Sequence, residues 1–192
     1  MSKTILITGV PGVGKTSIAE KISSKYSIPS TNFGDVFFEV VKSENINIKH
    51  VDDMREKISF AKNKELQLTT AKLIMKKEGD KIITSHLSID TPIGFMPGFP
   101  QNIVDVLNPD IIFIIESPLE EIKKRRLGDG SDRNRSHKLE SWIDFHQKYN
   151  RSLAANFSFY TGNYCYPVMN RQGELESAFD EIDSVMSQFI SK

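Results

Sequence analysis

Thr4-Ile5-Leu6-Ile7-Thr8, followed by Gly9-Val10-Pro11-Gly12-Val13-Gly14-Lys15-Thr16, is the stretch on which the reading of the whole chain turns. Five apolar or β-branched residues make a buried strand, and Ile18, Ile22 and Tyr26 then recur at four-residue steps as one face of a helix. The connection matches G-x-x-x-x-G-K-[ST] at every fixed position and lies between strand and helix, as a phosphate-binding loop must. Glycines let the main chain approach phosphate oxygens with no Cβ in the way. Successive N–H groups make an anion nest, and the helix N-terminus adds about half a positive charge. In such a loop Lys15 reaches the β- and γ-phosphates, and the Thr16 hydroxyl is a ligand for Mg²⁺. Binding of ATP or GTP by Gly9, Val10, Pro11, Gly12, Val13, Gly14, Lys15, Thr16 and Ser17 is the firmest expectation from the sequence.

Outward from this motif, short apolar runs alternate with helix-period segments, the pattern of an α/β fold with a parallel sheet. Strands are expected at Thr4–Thr8, Lys81–Thr84, Ile111–Glu116 and Tyr164–Met169, buried on both faces because their hydrophobicity is continuous, with a weaker one near Ile28–Phe33. Ser117-Pro118-Leu119-Glu120 reads as a capping box with proline at the first helical position. Trp142, His146, Tyr149, Leu153 and Phe157 fall on one face of a long helix, and Leu175, Phe179, Ile182, Met186 and Phe189 on one face of the last.

At 192 residues the chain fits one domain, 1–192, large enough to fold without staples. Its formal net charge is zero, so no global field draws it to nucleic acid or an anionic membrane, and phosphate recognition must be local. One cysteine, Cys165, excludes an intramolecular disulfide and reads as a buried inert thiol. With no run near the ~20 apolar residues that span a bilayer, the expected location is the cytoplasm.

Two further stretches refine the class. A GTPase needs Asn-Lys-x-Asp and Asp-x-x-Gly; Asn63-Lys64-Glu65-Leu66 lacks the Asp, and no Asp-x-x-Gly occurs. Residues 125–135 hold Arg125, Arg126, Arg133 and Arg135, although lysine is the commoner base in this chain. Arginine forks suit phosphate oxygens, and the intervening Gly128 and Gly130 suit a closing flap that excludes water. The alternative is a solvated helix end, which Arg125 and Arg126 fit better than Arg133 and Arg135 do. Asn32-Phe33-Gly34-Asp35 ahead of a helical Val36–Lys42, with Arg55 as a lone arginine, marks a place for the acceptor's phosphate.

In order and spacing, these segments resemble the archaeal-type adenylate kinases, a branch of the nucleoside monophosphate kinases. The likeness rests on Thr8–Thr16, Asn32-Phe33-Gly34 with Phe38-Glu39-Val40, and Asp53-Met54-Arg55. It continues through Thr91-Pro92-x-Gly94, Gly98-x-Pro100, Asn108-Pro109-Asp110-Ile111-Ile112, and Arg125–Asp129 with Arg133-Asn134-Arg135. The resemblance implies a P-loop NTPase three-layer sandwich with a five-stranded parallel sheet, a short lid near residues 128–137, and an acceptor region near 30–60. It further implies the reaction ATP + AMP = 2 ADP with Mg²⁺ as cofactor. Lys15, Arg133 and Arg135 would be catalytic; Asn32, Phe33, Arg55 and His86 would hold AMP; Thr16 would hold the metal. Partners would be small molecules, and the state a monomer or a homotrimer. In one respect the sequence departs from the pattern: Thr84-Ser85-His86 stands where relatives carry an Asp about two residues before the His, leaving Glu116 or Asp90 as substitutes near Mg²⁺. Two other readings share the scaffold: a kinase for CMP, UMP or a non-nucleotide acceptor, and an ATP-dependent assembly factor.

Overall fold

A computed structural model describes residues 2–46, 58–91, 93–128 and 140–190. Five strands make a parallel sheet: β1 (Thr4–Thr8), β2 (Ser30–Asn32), β3 (Lys81–Ser85), β6 (Ile111–Glu116) and β7 (Tyr164–Met169), in spatial order β2-β3-β1-β6-β7. β4 (Ser88–Thr91) and β5 (Gly94–Pro97) pair antiparallel as a separate hairpin. The described helices are α1 (Lys15–Tyr26), α2 (Phe33–Ser43), α3 (Phe60–Met75), α4 (Gln101–Leu107), α5 (Leu119–Gly128), α6 (Glu140–Thr161) and α7 (Leu175–Ile190).

β1 lies at the centre, paired Thr8↔Ser85 with β3 and Thr8↔Ile114 with β6, so the ends of three strands converge where the glycine-rich loop begins. Side chains alternate across the sheet and build two cores. Leu6, Ile83 and Ile112 face α2, α3, α4 and α6; Ile5, Ile7 and Phe113 face α1, α5 and α7. Each fully buried isoleucine contributes roughly 1.5–3 kcal/mol by leaving water, which is why β-branched runs at the sheet centre set its position. The start of β1 is pinned by carboxylates: Lys3 N–H donates to Asp80 Oδ1 and Thr4 N–H to Asp110 Oδ2, both at 2.7 Å. α7 is clamped to α1 through Asp183, which accepts from Tyr26 Oη at 2.9 Å and from Lys25 Nζ at 2.7 Å. Burial, then Asp183, pushes the Tyr26 phenol up to about 12.

Several expectations are corrected. The weak strand is only Ser30–Asn32, because Asn32 caps α2, its Oδ1 accepting from Gly34 N–H at 2.8 Å, so the helix starts at Phe33 and not at Val36. β7 is an edge strand, not doubly buried: Tyr164 and Met169 are exposed, and Pro167 is tolerated because an edge strand needs fewer ladder donors. Ser117 does not act as the expected cap. Its hydroxyl turns away to the carbonyl of Asn170 and accepts from Arg125 Nη1 at 3.0 Å. On α6 the buried face is Ile143, His146, Asn150, Ala154 and Phe157, with Leu153 partly buried against the core, so His146, Leu153 and Phe157 of the expected stripe pack inward. Trp142 and Tyr149 instead stack on Phe95 of the hairpin, with ring centroids 4.9 and 5.3 Å away. The hairpin itself is not anticipated in the sequence reading, since four-residue strands around Pro92 leave little periodicity. The last helix packs as read, with Ile182 and Met186 fully buried. Among the described residues no helix is long and apolar enough to cross a membrane.

Candidate active site

The loop after β1 takes the shape its glycines permit. Gly9, Gly12 and Gly14 have φ of 150°, 92° and 91°, a region side chains disfavour. Space is equally restrictive: a Cβ on Gly9 would lie 2.3 Å from the carbonyl oxygen of Ile115, and one on Gly14 would lie 2.4 Å from Nδ2 of Asn170. Gly14 precedes α1 with no side-chain cap, and the first turn of α1 carries no acidic residue. The orphan N–H groups of that turn, with the helix dipole behind them, therefore face the adjoining cleft as an anion site.

The cleft has a volume of about 520 Å³ and is bordered by the loop, by Asn32, Phe33 and Asp35 of the β2–α2 junction, by Thr84, Ser85 and His86 after β3, and by Arg125 and Arg126. Lys15, which follows the loop's last glycine, folds back so that Nζ donates to the carbonyls of Gly9 and Val10 at 3.0 and 3.1 Å. His86 Nδ1 lies 2.8 Å from the Gly9 carbonyl. A carbonyl only accepts, so Nδ1 carries the proton. Gly9 thus ties the lysine and the end of the third strand to one point.

Arg125 and Arg126 do not form the solvated helix end that their position allows. Arg125 Nη1 donates to the Gly12 carbonyl at 3.3 Å, and Arg126 Nε to the Pro11 carbonyl at 3.0 Å. The last turn of α5 is thereby bound to the crest of the loop. Asn170 secures the loop from behind: its Nδ2 donates to the Val13 carbonyl at 2.7 Å, while its own N–H donates to the Glu116 carbonyl at 2.8 Å. Neither role was legible, because Asn170 lies 157 residues from Val13 and no spacing signals such a contact. Replacing Asn170 with alanine leaves the Val13 carbonyl buried without its donor, a loss of about 1–3 kcal/mol. Urea denaturation should read a destabilisation of that size, with a raised KM for ATP; a variant matching wild type in both would remove Asn170 from this role.

The structure brings together the loop residues, Asn32, Phe33 and His86. Phe33 is mostly core, 4% exposed, with its ring edge-on to Phe99 at 4.9 Å. Arg55, Arg133 and Arg135, and most of the expected lid at 128–137, lie outside the described residues. The sequence alternatives for a metal carboxylate are not supported. Glu116 is 5% exposed and is gripped by Arg151, whose Nε donates to Oε1 at 2.9 Å with Nη2 on Oε2. Asp90 Oδ2 accepts from Trp142 Nε1 at 3.2 Å. No group of three or more His, Cys, Asp or Glu able to hold a metal occurs among the described residues. Oxygen donors at the cleft include the hydroxyls of Thr16, Ser17, Thr84 and Ser85 and the carboxylate of Asp35. That set suits Mg²⁺, which takes one or two protein oxygens and fills its octahedron with water and phosphate. Burial raises the Cys165 thiol, in keeping with an inert role.

Comparisons with known proteins agree with this geometry. A family model described as an AAA domain matches residues 8–144. An adenylate kinase of Methanopyrus kandleri is 35% identical over 192 residues, covering 97% of this chain and 100% of its own. The chain belongs to the adenylate kinase family. Another adenylate kinase, from Methanoculleus marisnigri, is 36% identical over 195 residues, with 97% and 99% covered. A solved shikimate kinase from Bacteroides thetaiotaomicron superposes with a TM-score of 0.65 over 96% of this chain and 98% of its own. At 16% identity that structure speaks to the fold alone. The present chain has the expected parallel sheet of five strands and the loop, and its third strand ends on Thr84-Ser85.

Proposed function

We propose that this protein catalyses the reversible transfer of the γ-phosphoryl group of ATP to AMP, giving two ADP. The observation that carries it is the uncapped N-terminus of α1, opening with its glycine loop onto a cleft large enough for nucleotide, in a chain related along its length to adenylate kinases.

The main-chain amides of residues 9–17 hold the phosphates of ATP. Lys15 exchanges the carbonyls of Gly9 and Val10 for phosphate oxygens, a short swing because its ammonium already sits against the loop. The acceptor lies on the β2–α2 side, near Asn32, Phe33 and His86; Arg55, expected from the sequence to meet its phosphate, lies outside the described residues. An AMP phosphate oxygen is anionic at neutral pH, so the attack needs no base. Catalysis is then alignment of donor and acceptor plus neutralisation of charge on the transferred group. Lys15 and, from the expected lid, Arg133 and Arg135 supply that charge. The Thr16 hydroxyl, with the hydroxyls of Thr84 and Ser85 holding waters, would bind Mg²⁺, whose charge offsets that of the β- and γ-phosphates. Without the usual aspartate, the cation depends more on the nucleotide's own oxygens.

The test is ADP formation from ATP with and without AMP, and with CMP or UMP in its place. Strong dependence on AMP is expected. ADP formed at the same rate with and without AMP would overturn the reading in favour of an ATPase, and a CMP or UMP preference would change the acceptor.

A further inference from the structure

The turn from β6 into α5 carries two separate supports of the phosphate loop. Ser117 is buried, and its hydroxyl accepts from Arg125 Nη1 at 3.0 Å and donates to the Asn170 carbonyl. Arg125 also reaches the Gly12 carbonyl at 3.3 Å, and Asn170 reaches the Val13 carbonyl at 2.7 Å. One hydroxyl thus sets where both side chains meet the loop, so the placement of the Ser117 main chain bears on the loop's shape. That main chain belongs to neither neighbouring element, since β6 ends at Glu116 and α5 begins at Leu119. The first helical N–H groups, of Glu121 and Ile122, both go to the Pro118 carbonyl, one residue past Ser117. The N–H and carbonyl of Ser117 therefore need partners from elsewhere, as buried main-chain groups do.

Gln147 of α6 supplies both. Its Oε1 accepts from Ser117 N–H and its Nε2 donates to the Ser117 carbonyl, each at 3.1 Å. An amide carries a donor and an acceptor side by side, so it pairs with this main chain as a neighbouring strand residue would. Gln147 stands four residues from Ile143 and four from Arg151, hence on one side of the helix. Ile143 is buried core, and Arg151 grips the carboxylate of Glu116, the residue before Ser117. Helix α6 thus holds Glu116 by its side chain and Ser117 by its backbone. Among the described residues that border the cleft, neither Gln147 nor Ser117 appears, so an influence on bound phosphate passes through Arg125 and Asn170. We propose that Gln147 is a positioning residue for the ATP site: by fixing the Ser117 main chain it seats Arg125 and Asn170 on the carbonyls of Gly12 and Val13. The inference rests on the loop being the ATP site, as argued above.

The test measures equilibrium binding of a non-hydrolysable ATP analogue, and separately of AMP, to the full-length protein. Gln147→Leu should weaken the analogue about tenfold, the scale of a lost buried hydrogen bond, and leave AMP binding nearly unchanged. A general loosening of α6 would weaken both ligands together. Ser117→Ala, which removes the shared hydroxyl, should weaken the analogue by a similar factor. Adding Gln147→Leu to it should then cost little more, whereas two independent sites would multiply to about a hundredfold. Gln147→Glu keeps the acceptor for Ser117 N–H but sets a carboxylate oxygen against the carbonyl. It should weaken the analogue likewise, and it stands in if the leucine variant does not fold. Unchanged affinity for the analogue in a folded variant, equal weakening of both ligands, or a full multiplicative loss in the double variant overturns the proposal. A wild type that binds no ATP analogue would instead overturn the functional reading beneath it.

Discussion

Replacing Lys15 with methionine should lower kcat by ~10³-fold or more, the scale on which removal of a single preorganised charge stabiliser is felt. Methionine keeps most of the aliphatic length, so the change isolates the ammonium. That ammonium donates to the carbonyls of Gly9 and Val10. Its loss therefore also frees two loop carbonyls, although Gly9 keeps the His86 donor. Melting should fall by only a few degrees, since a net hydrogen bond is worth about 0.5–1.5 kcal/mol and small domains lose a few degrees per kcal/mol. The signature is thus a large rate loss beside a small stability loss, read by initial rates and by a thermal melt of the same sample. A variant that turns over near the wild-type rate would remove Lys15 from the mechanism.

The second large effect is expected at Gly9→Ala. A methyl group there meets the Ile115 carbonyl oxygen at 2.3 Å and the Val13 side chain at 2.9 Å, at a φ of 150°. The carbonyl belongs to the interior strand β6 and is held by the sheet, so the loop must yield and not the strand. Strain of this kind costs of order 1–3 kcal/mol before any contact is counted, and the clash adds to it. Because Gly9 also carries the carbonyl that positions both Lys15 and His86, the displaced loop loses its anion nest. Binding of an ATP analogue should become undetectable at concentrations that saturate wild type, and the denaturation midpoint should fall. Wild-type affinity in a folded Gly9→Ala protein would show that this backbone geometry is not required.

What could be read in advance, and what could not, divides along contact distance in the chain. The strand Thr4–Thr8, its loop and the stripe Ile18, Ile22, Tyr26 are consecutive residues whose periodicity and steric demands are local, and the fold bears them out. The same holds for β6 and α7. Asn32 was placed at the site from its neighbourhood, but its use as the cap of α2 needed the backbone path. For Arg125 and Arg126 the sequence leaves a helix end as an alternative to phosphate contact, because the loop carbonyls they meet lie 113 and 115 residues away. Asn63 was weighed only as part of an incomplete guanine-reading motif.

The β4–β5 hairpin has four-residue strands and no interior of its own, and two such strands alone are marginal in water. Its order is borrowed. Ser88 accepts from Asn150 Nδ2 at 2.8 Å and lies 2.9 Å from His146 Nε2, while Phe95 lies flat against His146 at 4.4 Å. At its other end Gly98 donates to the Leu87 carbonyl, leaving no room for even a methyl group beside the His86 carbonyl. This miniature sheet is therefore a strut between a long helix and the histidine that meets the phosphate loop. Whatever loosens the middle of that helix slackens one wall of the nucleotide cleft without touching the central sheet.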